Sequence, residues 1–379
     1  MIQTIRIENY KSVQKLEINP GRITVLIGEN GSGKSNILEA IALGSAAAVD
    51  KLDNEFLSSR GIRVAEPQFM RAAFDKKNSS KEIKISFKGN NGFIEFELQN
   101  DNKPYSEWIN LSYRDILKNA LLLKLEKLTK SEKEILILRL NLLKNALFPE
   151  NQKFKKILRH IKNFLIYSPE SLSLNTFERE GQIQPVGIRG EGLFKLLKVL
   201  SSESKEKINE IKKRLQLIDW FQDFEIPQNL FQGERYIRIK DRYMDESLAY
   251  FDQKSSNEGF LFLLFYFSLF ISDLTPGFFA VDNIDASLNP KLCSRLIKEL
   301  ADLSEKYDKQ AIFTTHNPAV LDGLNLDDEE QRLFVVFRNQ SGYTKARRIL
   351  KPKTPEGQEP VRLSEAFLRG YIGGLPKGF

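Results

Sequence analysis

A glycine-rich segment near the start of the chain constrains the fold more than any other feature of the sequence. The segment reads Gly28-Glu29-Asn30-Gly31-Ser32-Gly33-Lys34-Ser35 and matches the pattern G-x-x-x-x-G-K-S in full. It follows the apolar run 23–27, which is typical of a buried strand, and precedes apolar residues at helical spacing from Ile37 to Ile41. A strand, a glycine-rich loop and a helix in this order predict a P-loop, the phosphate-binding element of many α/β proteins.

The chemistry of a P-loop assigns a role to each part of this segment. Glycines permit the backbone angles that turn several N–H groups inward, and the N-terminus of the following helix adds partial positive charge. We expect Lys34 to reach the β- and γ-phosphates and the Ser35 hydroxyl to ligate Mg²⁺. The predicted cofactors are therefore ATP and Mg²⁺, with residues 28–36 against the nucleotide.

Two polar residues end strand-like runs in the second half of the chain. Asp282 closes the apolar run 278–281, and a P-loop enzyme needs such an acid on a neighbouring strand to hold the Mg²⁺ shell. His316 follows the run 311–315, where an imidazole could contact the γ-phosphate or its attacking water. Plainer interpretations stay open: an aspartate that caps a turn, and a structural histidine at a strand end.

The residues Asn257-Glu258-Gly259 open the longest apolar stretch, which runs from 259 to 271. That stretch is too short to span a bilayer and predicts a buried helix, so we expect no membrane association. A polar residue and a glycine at a helix start offer free N–H groups to an anion. These groups would serve the nucleotide of another copy of the chain; the alternative is a simple helix cap.

The α/β pattern occupies both ends of the chain, and a helical pattern occupies the middle. Alternating residues predict hairpins at 5–18 and at 83–98, the second around Asn90-Asn91-Gly92. Asn289-Pro290 opens a predicted helix, and strand-like runs follow at 311–315 and 333–337, an alternation that implies parallel pairing. We therefore divide the chain into an N-terminal lobe with the P-loop (1–110), a basic helical insertion that forms an arm or lid (111–235) and a C-terminal lobe (236–379). An ordinary pair of core helices is the alternative for the insertion, whose pattern is broken at Pro149.

The net charge of +7 is concentrated in the insertion. Residues 111–165 contain thirteen Lys and Arg against five Asp and Glu. A nucleic-acid backbone or another acidic surface is a reasonable partner, and a solvated helical face is the alternative. The single cysteine, Cys293, excludes an internal disulfide, and the first residues lack a signal-peptide pattern, so we expect a cytoplasmic protein.

Taken together, these motifs resemble the ABC-type ATPase superfamily. Within it, the chain is similar to the soluble branch that includes RecF, the SMC heads, the OLD-type nucleases and the AAA15/AAA21-type ATPases of bacterial anti-phage defence operons. Four segments carry the resemblance: the first-strand motif 5–12, the Walker A motif and its helix at 28–41, the Walker B motif and D-loop at 282–290, and the H-loop at 314–318.

The resemblance implies an ABC-ATPase-like head with a mixed central sheet and an inserted helical subdomain. It places Lys11 near the phosphates and Asn257-Glu258-Gly259 at the signature motif. It also implies a homodimer or higher oligomer, in which two heads sandwich two nucleotides and each P-loop faces the signature helix of its partner.

Two departures from the family pattern bear on catalysis. Asn283 stands where the family usually has the glutamate that acts as general base, and an amide cannot take a proton at neutral pH. We therefore expect slow hydrolysis or a base from elsewhere, with Asp285 the nearest carboxylate. Asn257 also stands where the signature serine is expected, and Gln68 is the candidate for the Q-loop glutamine.

Three functional hypotheses follow. The first is an ATPase that dimerises on nucleotide and acts as sensor or regulator in bacterial antiviral defence, with a separately encoded nuclease or toxin as effector, because only about sixty residues follow His316. A RecF- or SMC-like role in DNA repair or maintenance is the alternative within this class. The second is a scaffold in which ATP is bound with little turnover, and the third, a transporter subunit, is disfavoured by the first-strand motif and the insertion.

Overall fold

The computed structural model describes most of both ends of the chain. It covers residues 1–90, 92–112, 152–179, 183, 185–227, 231, 233–248, 250–351 and 361–375. The helical positions predicted between 113 and 151, the break at Pro149 and the turn residue Asn91 lie outside these ranges.

A six-stranded sheet at the centre brings together strands from the two ends of the sequence. Its strands are β3 (Ile23–Ile27), β7 (Ile166–Tyr167), β11 (Phe278–Val281), β12 (Gln310–Thr315), β13 (Gln331–Arg338) and β14 (Thr344–Ile349). The spatial order is β14-β13-β3-β12-β11-β7, and every pair is parallel except β13 with β14. Strands β3, β11 and β12 are buried along their whole length, as expected for parallel strands covered on both faces. The predicted parallel pairing is confirmed.

A second, antiparallel sheet lies beside the first. It consists of β1 (Ile2–Tyr10), β2 (Val13–Ile18), β4 (Ile83–Gly89), β5 (Gly92–Gln99) and β6 (Ile109–Asn110), in the order β2-β1-β4-β5-β6. The pairs β1–β2 and β4–β5 are the two predicted hairpins, and Gly89 pairs with Gly92 at the second turn.

Helices fill the space between and beyond the two sheets. They are α1 (Lys34–Ala48), α2 (Asn54–Ser59), α3 (Gln152–Ile161), α4 (Ser171–Asn175), α5 (Leu193–Glu203), α6 (Lys205–Leu215), α7 (Glu258–Ile271), α8 (Pro290–Lys306) and α9 (Leu363–Leu368). Helix α1 packs between the antiparallel sheet and one face of the central sheet, while α5 to α8 cover the other face. Every residue of α7 from Phe260 to Ile271 is buried, which confirms the predicted buried helix. None of the helices in the described ranges is long and apolar enough to span a membrane.

The described part of the predicted insertion is continuous with the rest of the molecule. Strand β7 forms the edge of the central sheet beside β11, and α5 and α6 pack into the same core as α7. A third sheet pairs β8 (Phe221–Glu225) with β9 (Arg238–Asp241), and β9 with β10 (Tyr250–Phe251). The predicted boundary at 235 falls within this small sheet, since apolar periodicity reveals a helix but not what the helix packs against. The division of the chain into three parts remains a prediction. Residues 113–151, which carry most of the basic residues of the segment 111–165, lie outside the described ranges.

Candidate nucleotide-binding site

The glycine-rich loop joins β3 to α1 at the carboxyl end of the parallel strands. Gly31 and Gly33 have φ angles of 73° and 106°, in the left-handed region that favours glycine. At Gly28 the reason for glycine is different, because a Cβ atom there would lie 2.1 Å from the carbonyl oxygen of Val336 in β13. A Cβ at Gly31 would meet nothing within 4 Å, so the loop is open above this residue, and Asn30 beside it is exposed. The loop therefore has room for an anion over its N–H groups.

Lys34 is folded back over the loop from the first residue of α1. Its Nζ donates to the carbonyl oxygens of Gly28, at 2.8 Å, and Glu29, at 3.1 Å. Burial lowers the pKa of this ammonium to about 8, against the opposing charges of Asp282, Glu29 and Asp285. A phosphate within reach would favour the charged form, so a nucleotide and the lysine would stabilise each other.

Ser35 and Asp282 meet at the point where a Mg²⁺ ligand pair is expected. The Ser35 hydroxyl donates to Asp282 Oδ2 at 3.2 Å, and the Thr314 hydroxyl donates to Oδ1 of the same carboxylate. Hydroxyl and carboxylate oxygens are ligands that Mg²⁺ prefers. The donor set therefore fits the metal, with Asp282 oriented by a threonine of the neighbouring strand β12.

The segment that follows β11 turns sharply in front of the loop. Asn283 has a φ of 56°, a left-handed conformation that asparagine tolerates better than most residues, and its N–H donates to Thr314 Oγ1 at 2.9 Å. Its side chain is exposed. Asp285 accepts a hydrogen bond of 2.6 Å from Thr315, so β12 positions this carboxylate as well.

His316 lies beside the P-loop, with its ring hydrogen-bonded to the backbone of Gly28. Burial lowers the pKa of the imidazole, Lys34 lowers it further, and Asp285 and Asp282 oppose the shift. This shift favours the neutral imidazole, which can accept or donate a hydrogen bond at a phosphate or a water. The loop, Ser35, Asp282, Asp285 and His316 thus converge, although they lie far apart in the sequence.

The predicted signature residues form the N-terminus of α7. Asn257 is the N-cap, and its Oδ1 accepts from the N–H of Phe260 at 2.9 Å. Glu258 accepts 2.7 Å hydrogen bonds from the hydroxyls of Ser171 and Ser287, which lower its pKa. These partners belong to α4 and to the segment after β11. The helix start therefore has its own partners outside the P-loop of the same chain.

A cavity of about 610 Å³ opens at this helix start. It is lined by Trp220, Asn257, Gly259, Ser287, Lys291, Arg295 and neighbouring residues. Exposed residues of both charges surround the opening, with Lys291 and Arg295 against Asp219 and Glu258. Glycine at 259 has no obvious role within the chain, because a Cβ there would make contacts of 3.4 Å or more with Ser287, Asn257 and Leu288.

Lys11 contacts protein groups, whereas the resemblance places it near the phosphates. Its ammonium is paired with Glu39 of α1 and donates to the carbonyl oxygen of Arg63 at 2.8 Å. Burial lowers the pKa of Lys11, and the charge of Glu39 opposes this. A role at the nucleotide stays a prediction, and it would require the lysine to leave Glu39. Gln68, the candidate for the Q-loop, donates to Glu66 at 2.9 Å on the surface.

Several residues of the site were not found by sequence reasoning. Thr314 and Thr315 orient the two carboxylates, and the buried Glu39 collects Tyr10, Lys11 and Arg63. The two threonines lie within the H-loop segment and could have been found from their position at the end of a strand that ends at the site. Glu39 gives a weaker signal, a lone acid among the apolar residues of a predicted helix.

A comparison with known protein families now places the chain. A model described as an AAA domain matches residues 4–232. The chain belongs to the AAA domain family. A second model, described as "AAA domain, putative AbiEii toxin, Type IV TA system", matches residues 258–322, the segment from α7 past the H-loop.

Curated relatives match smaller parts of this AAA domain protein. It is 33% identical over 113 residues to an uncharacterized protein of Methanocaldococcus jannaschii, covering 28% of this chain and 50% of that protein. It is 33% identical over 93 residues to the DNA replication and repair protein RecF of Bacillus cereus (23% of this chain, 24% of RecF). It is 40% identical over 65 residues to RecF of Rickettsia bellii (17% of this chain, 15% of that RecF). The chain thus spans half or less of the length of these relatives.

Solved structures show the fold. An SMC head bound to the C-terminal winged-helix domain of ScpA has a TM-score of 0.57 and 16% identity, covering 92% of this chain and 98% of the other. A Pyrococcus furiosus SMC head bound to the C-terminal domain of ScpA has a TM-score of 0.51, also at 16% identity, with 92% and 96% coverage. The AAA domain protein therefore has an SMC-head-like fold.

Proposed function

We propose that this protein is an ATP-driven switch that self-associates on binding nucleotide. The observation that carries the proposal is the N-terminus of α7, which presents a glycine and a capping asparagine next to an open cavity without contributing to its own P-loop. A helix N-terminus with free N–H groups favours an anion. The anion that completes the arrangement is the triphosphate held by a second copy.

Asn257 suits this role better than its departure from the family pattern suggests. Its Oδ1 caps the helix by accepting from Phe260, which leaves the amide Nδ2 as a donor. One side chain can then cap α7 and donate to a phosphate of the partner at the same time. Gly259 supports the same geometry. No neighbour within the chain requires glycine there, but the lack of a side chain lets a phosphate of the partner approach the backbone closely.

Within one nucleotide site, the roles follow from the contacts. Lys34 and the loop N–H groups bind the phosphates, and Ser35 and Asp282 hold Mg²⁺, which neutralises phosphate charge when bound. Asp285 is the carboxylate that we assign as general base, since Thr315 orients it and Asn283 cannot accept a proton. His316 orients the attacking water or contacts the γ-phosphate. We propose slow hydrolysis, because this base is two residues removed from the usual position.

For the biological role, we propose a sensor or regulator in bacterial antiviral defence that works with a separately encoded nuclease or toxin. The match of residues 258–322 to a model whose description includes a toxin of a toxin–antitoxin system supports it. The basic segment 111–165 favours contact with nucleic acid or an acidic partner surface. The RecF matches favour the alternative, a role in DNA repair or maintenance.

A complementation experiment tests the composite site. Lys34→Ala removes phosphate binding by the P-loop, and Gly259→Asp places a carboxylate at the N-terminus of α7. That carboxylate stabilises the helix but repels a partner's phosphates. Each variant alone should remain monomeric with ATP in sedimentation and hydrolyse little, whereas a mixture forms dimers with one intact site of two.

The mixture should therefore regain a fraction of wild-type turnover that the separate variants lack. A mixture no more active than its parts would contradict the proposed dimer, provided that wild type hydrolyses ATP. Hydrolysis by wild type that Lys34→Ala abolishes would exclude the scaffold hypothesis. Gel shifts with DNA and RNA, with and without ATP, then separate a nucleic-acid partner from a protein partner.

A further inference from the structure

The outward-facing carbonyl oxygens of the P-loop provide a further inference. A loop that turns its N–H groups inward to phosphate must point its carbonyl groups away, and buried carbonyls need donors. Lys34 supplies donors to Gly28 and Glu29, and the N–H of Ile37 supplies one to Gly33. The carbonyls of the exposed Gly31 and the buried Ser32, at the crest of the loop, accept from residues more than 300 positions later in the chain.

Both of these donors come from the hairpin formed by β13 and β14. Arg338, the last residue of β13, donates from Nε to the carbonyl oxygen of Gly31 at 2.8 Å. Thr344, the first residue of β14, donates from its hydroxyl to the carbonyl oxygen of Ser32 at 2.8 Å. The hairpin thus contacts the crest of the loop at two of its carbonyl oxygens.

Arg338 is itself held in place. Its Nη1 donates to the carbonyl oxygen of Gly342 at 2.7 Å, within the hairpin turn. Its guanidinium lies over the ring of Phe74, 5.4 Å from the centroid, and Phe74 packs edge-on against Tyr343 at 5.3 Å. A planar guanidinium with two carbonyl partners and a ring beneath it has little rotational freedom. Arg338 therefore fixes Gly31 rather than following it.

Thr344 is the centre of a directed chain of hydrogen bonds. Because its one hydrogen goes to Ser32, the bond of 2.7 Å between its oxygen and the Ser12 hydroxyl must be donated by Ser12. The oxygen of Ser12 accepts in turn from Nδ2 of Asn36 at 2.6 Å. Thr344 is fully buried, and a Cβ on Gly33 would lie 2.0 Å from its oxygen. This series of hydrogen bonds links the start of α1 to the crest of the loop.

We propose that Arg338 and Thr344 are positioning residues for nucleotide binding, which hold the P-loop in its phosphate-binding shape before the nucleotide arrives. The inference rests on the proposed binding of ATP by this loop. A preorganised site loses less freedom on binding and so binds more tightly. Loss of either donor should weaken nucleotide binding at a distance, without removing any group that touches the phosphates.

The test measures the affinity of the full chain for magnesium ATP, with a fluorescent N-methylanthraniloyl-ATP probe, and the Tm of each variant without nucleotide. Thr344→Val removes the hydroxyl at nearly constant volume, and Thr344→Ser restores it. Arg338→Ala removes the guanidinium. Arg332→Ala is the matched control, because Arg332 lies at the other end of β13 and also donates to a main-chain carbonyl, that of Asn19 at 2.7 Å.

We expect Kd to rise about tenfold in Arg338→Ala and Thr344→Val, and to stay near wild type in Thr344→Ser and Arg332→Ala, at a temperature where all are folded. Equal affinity in all four would overturn the proposal, as would a Kd that rises in Arg332→Ala in proportion to its loss of Tm. A loss of nucleotide affinity in Arg338→Ala alone would also overturn the proposal, because that result would assign Arg338 to direct phosphate contact. If wild type itself fails to bind, the proposed function fails instead.

Discussion

Ser35 Oγ lies 3.2 Å from Asp282 Oδ2, although 247 residues separate the two in the chain. Parallel pairing of β3, β12 and β11 produces this approach, since parallel strands deliver their carboxyl ends to one edge of the sheet. Thr314 at the end of β12 lies between the two strands and engages the second oxygen of Asp282. The carboxylate is therefore oriented from both sides.

The first prediction concerns Thr314. Thr314→Val should raise about tenfold the Mg²⁺ concentration needed for half-maximal ATP binding. A ligand carboxylate that loses its supporting hydrogen bond typically loses 10- to 100-fold in metal affinity. Magnesium titrations of nucleotide binding measure the effect. Thr314→Ser keeps the hydroxyl and should behave like wild type; equal magnesium dependence in the valine variant would show that Thr314 is not needed to orient Asp282.

The second prediction concerns the general base. Asp285→Asn should reduce steady-state turnover by about 10²-fold or more, the usual contribution of a general base, with little change in ATP affinity. Asn283→Gly keeps the left-handed backbone at this position and should leave turnover within a few-fold of wild type, because the amide takes no proton. Phosphate release assays at saturating ATP compare the two. Turnover unaffected by Asp285→Asn would remove Asp285 from this role.

The third prediction concerns the buried Glu39, whose side chain is 2% exposed and pairs with both Lys11 and Arg63. Glu39→Ala leaves a partly buried lysine without its counter-charge, so we expect a loss of about 3 kcal/mol in the free energy of unfolding. Urea denaturation measures it. The control is Glu17→Ala, which breaks the exposed pair with Arg6 and should cost at most about 1 kcal/mol. Similar losses in both would argue against a strong buried pair.

The fourth prediction concerns His160 on α3, whose Nε2 lies 3.2 Å from Gln310 Oε1. Burial lowers its pKa to about 4, the nearby amino terminus contributes, and Gln310 and Asp308 oppose the shift. The unfolded state therefore binds more protons between about pH 4 and 6.5, and stability falls as the pH falls through this window. His160→Gln should remove this dependence, since its amide does not titrate.

Denaturation of both proteins at pH 7.5 and pH 5 checks the sign. We expect the wild type to lose about 2 kcal/mol more than His160→Gln over this interval. Equal losses of unfolding free energy in the two proteins would mean that the pKa of His160 is not lowered in the folded protein.

Local patterns predicted the elements that build the site, and tertiary pairing determined the rest. A strand or helix can be identified from the pattern of about a dozen residues. This was enough to predict the P-loop, Asp282, His316 and the buried helix α7. Arg338 and Thr344 could not be found in this way. They reach the loop only because β13 pairs with β3, and nothing in a run such as 331–338 specifies its neighbour.

Lys11 illustrates a different limit of sequence reasoning. The resemblance places it near the phosphates, but the structure pairs its ammonium with Glu39, four residues after Ser35 on α1. A motif specifies a residue type and a position on a strand, whereas the partner of a long side chain depends on which charges its neighbours bury. The boundary predicted at 235 meets a similar limit, since β8 before it pairs with β9 after it, and periodicity does not reveal which strands pair.

The strand order of the central sheet also has a consequence for synthesis. Ile23 of β3 pairs with Ala311 of β12, 288 residues later, and β3 has its other neighbour in β13. At about 5–20 residues per second, a ribosome would need roughly 15–60 s to supply these partners. During that interval the P-loop strand has two unpaired edges and is exposed to aggregation. A newly made chain should therefore become able to bind nucleotide only late in translation, after β13 has emerged.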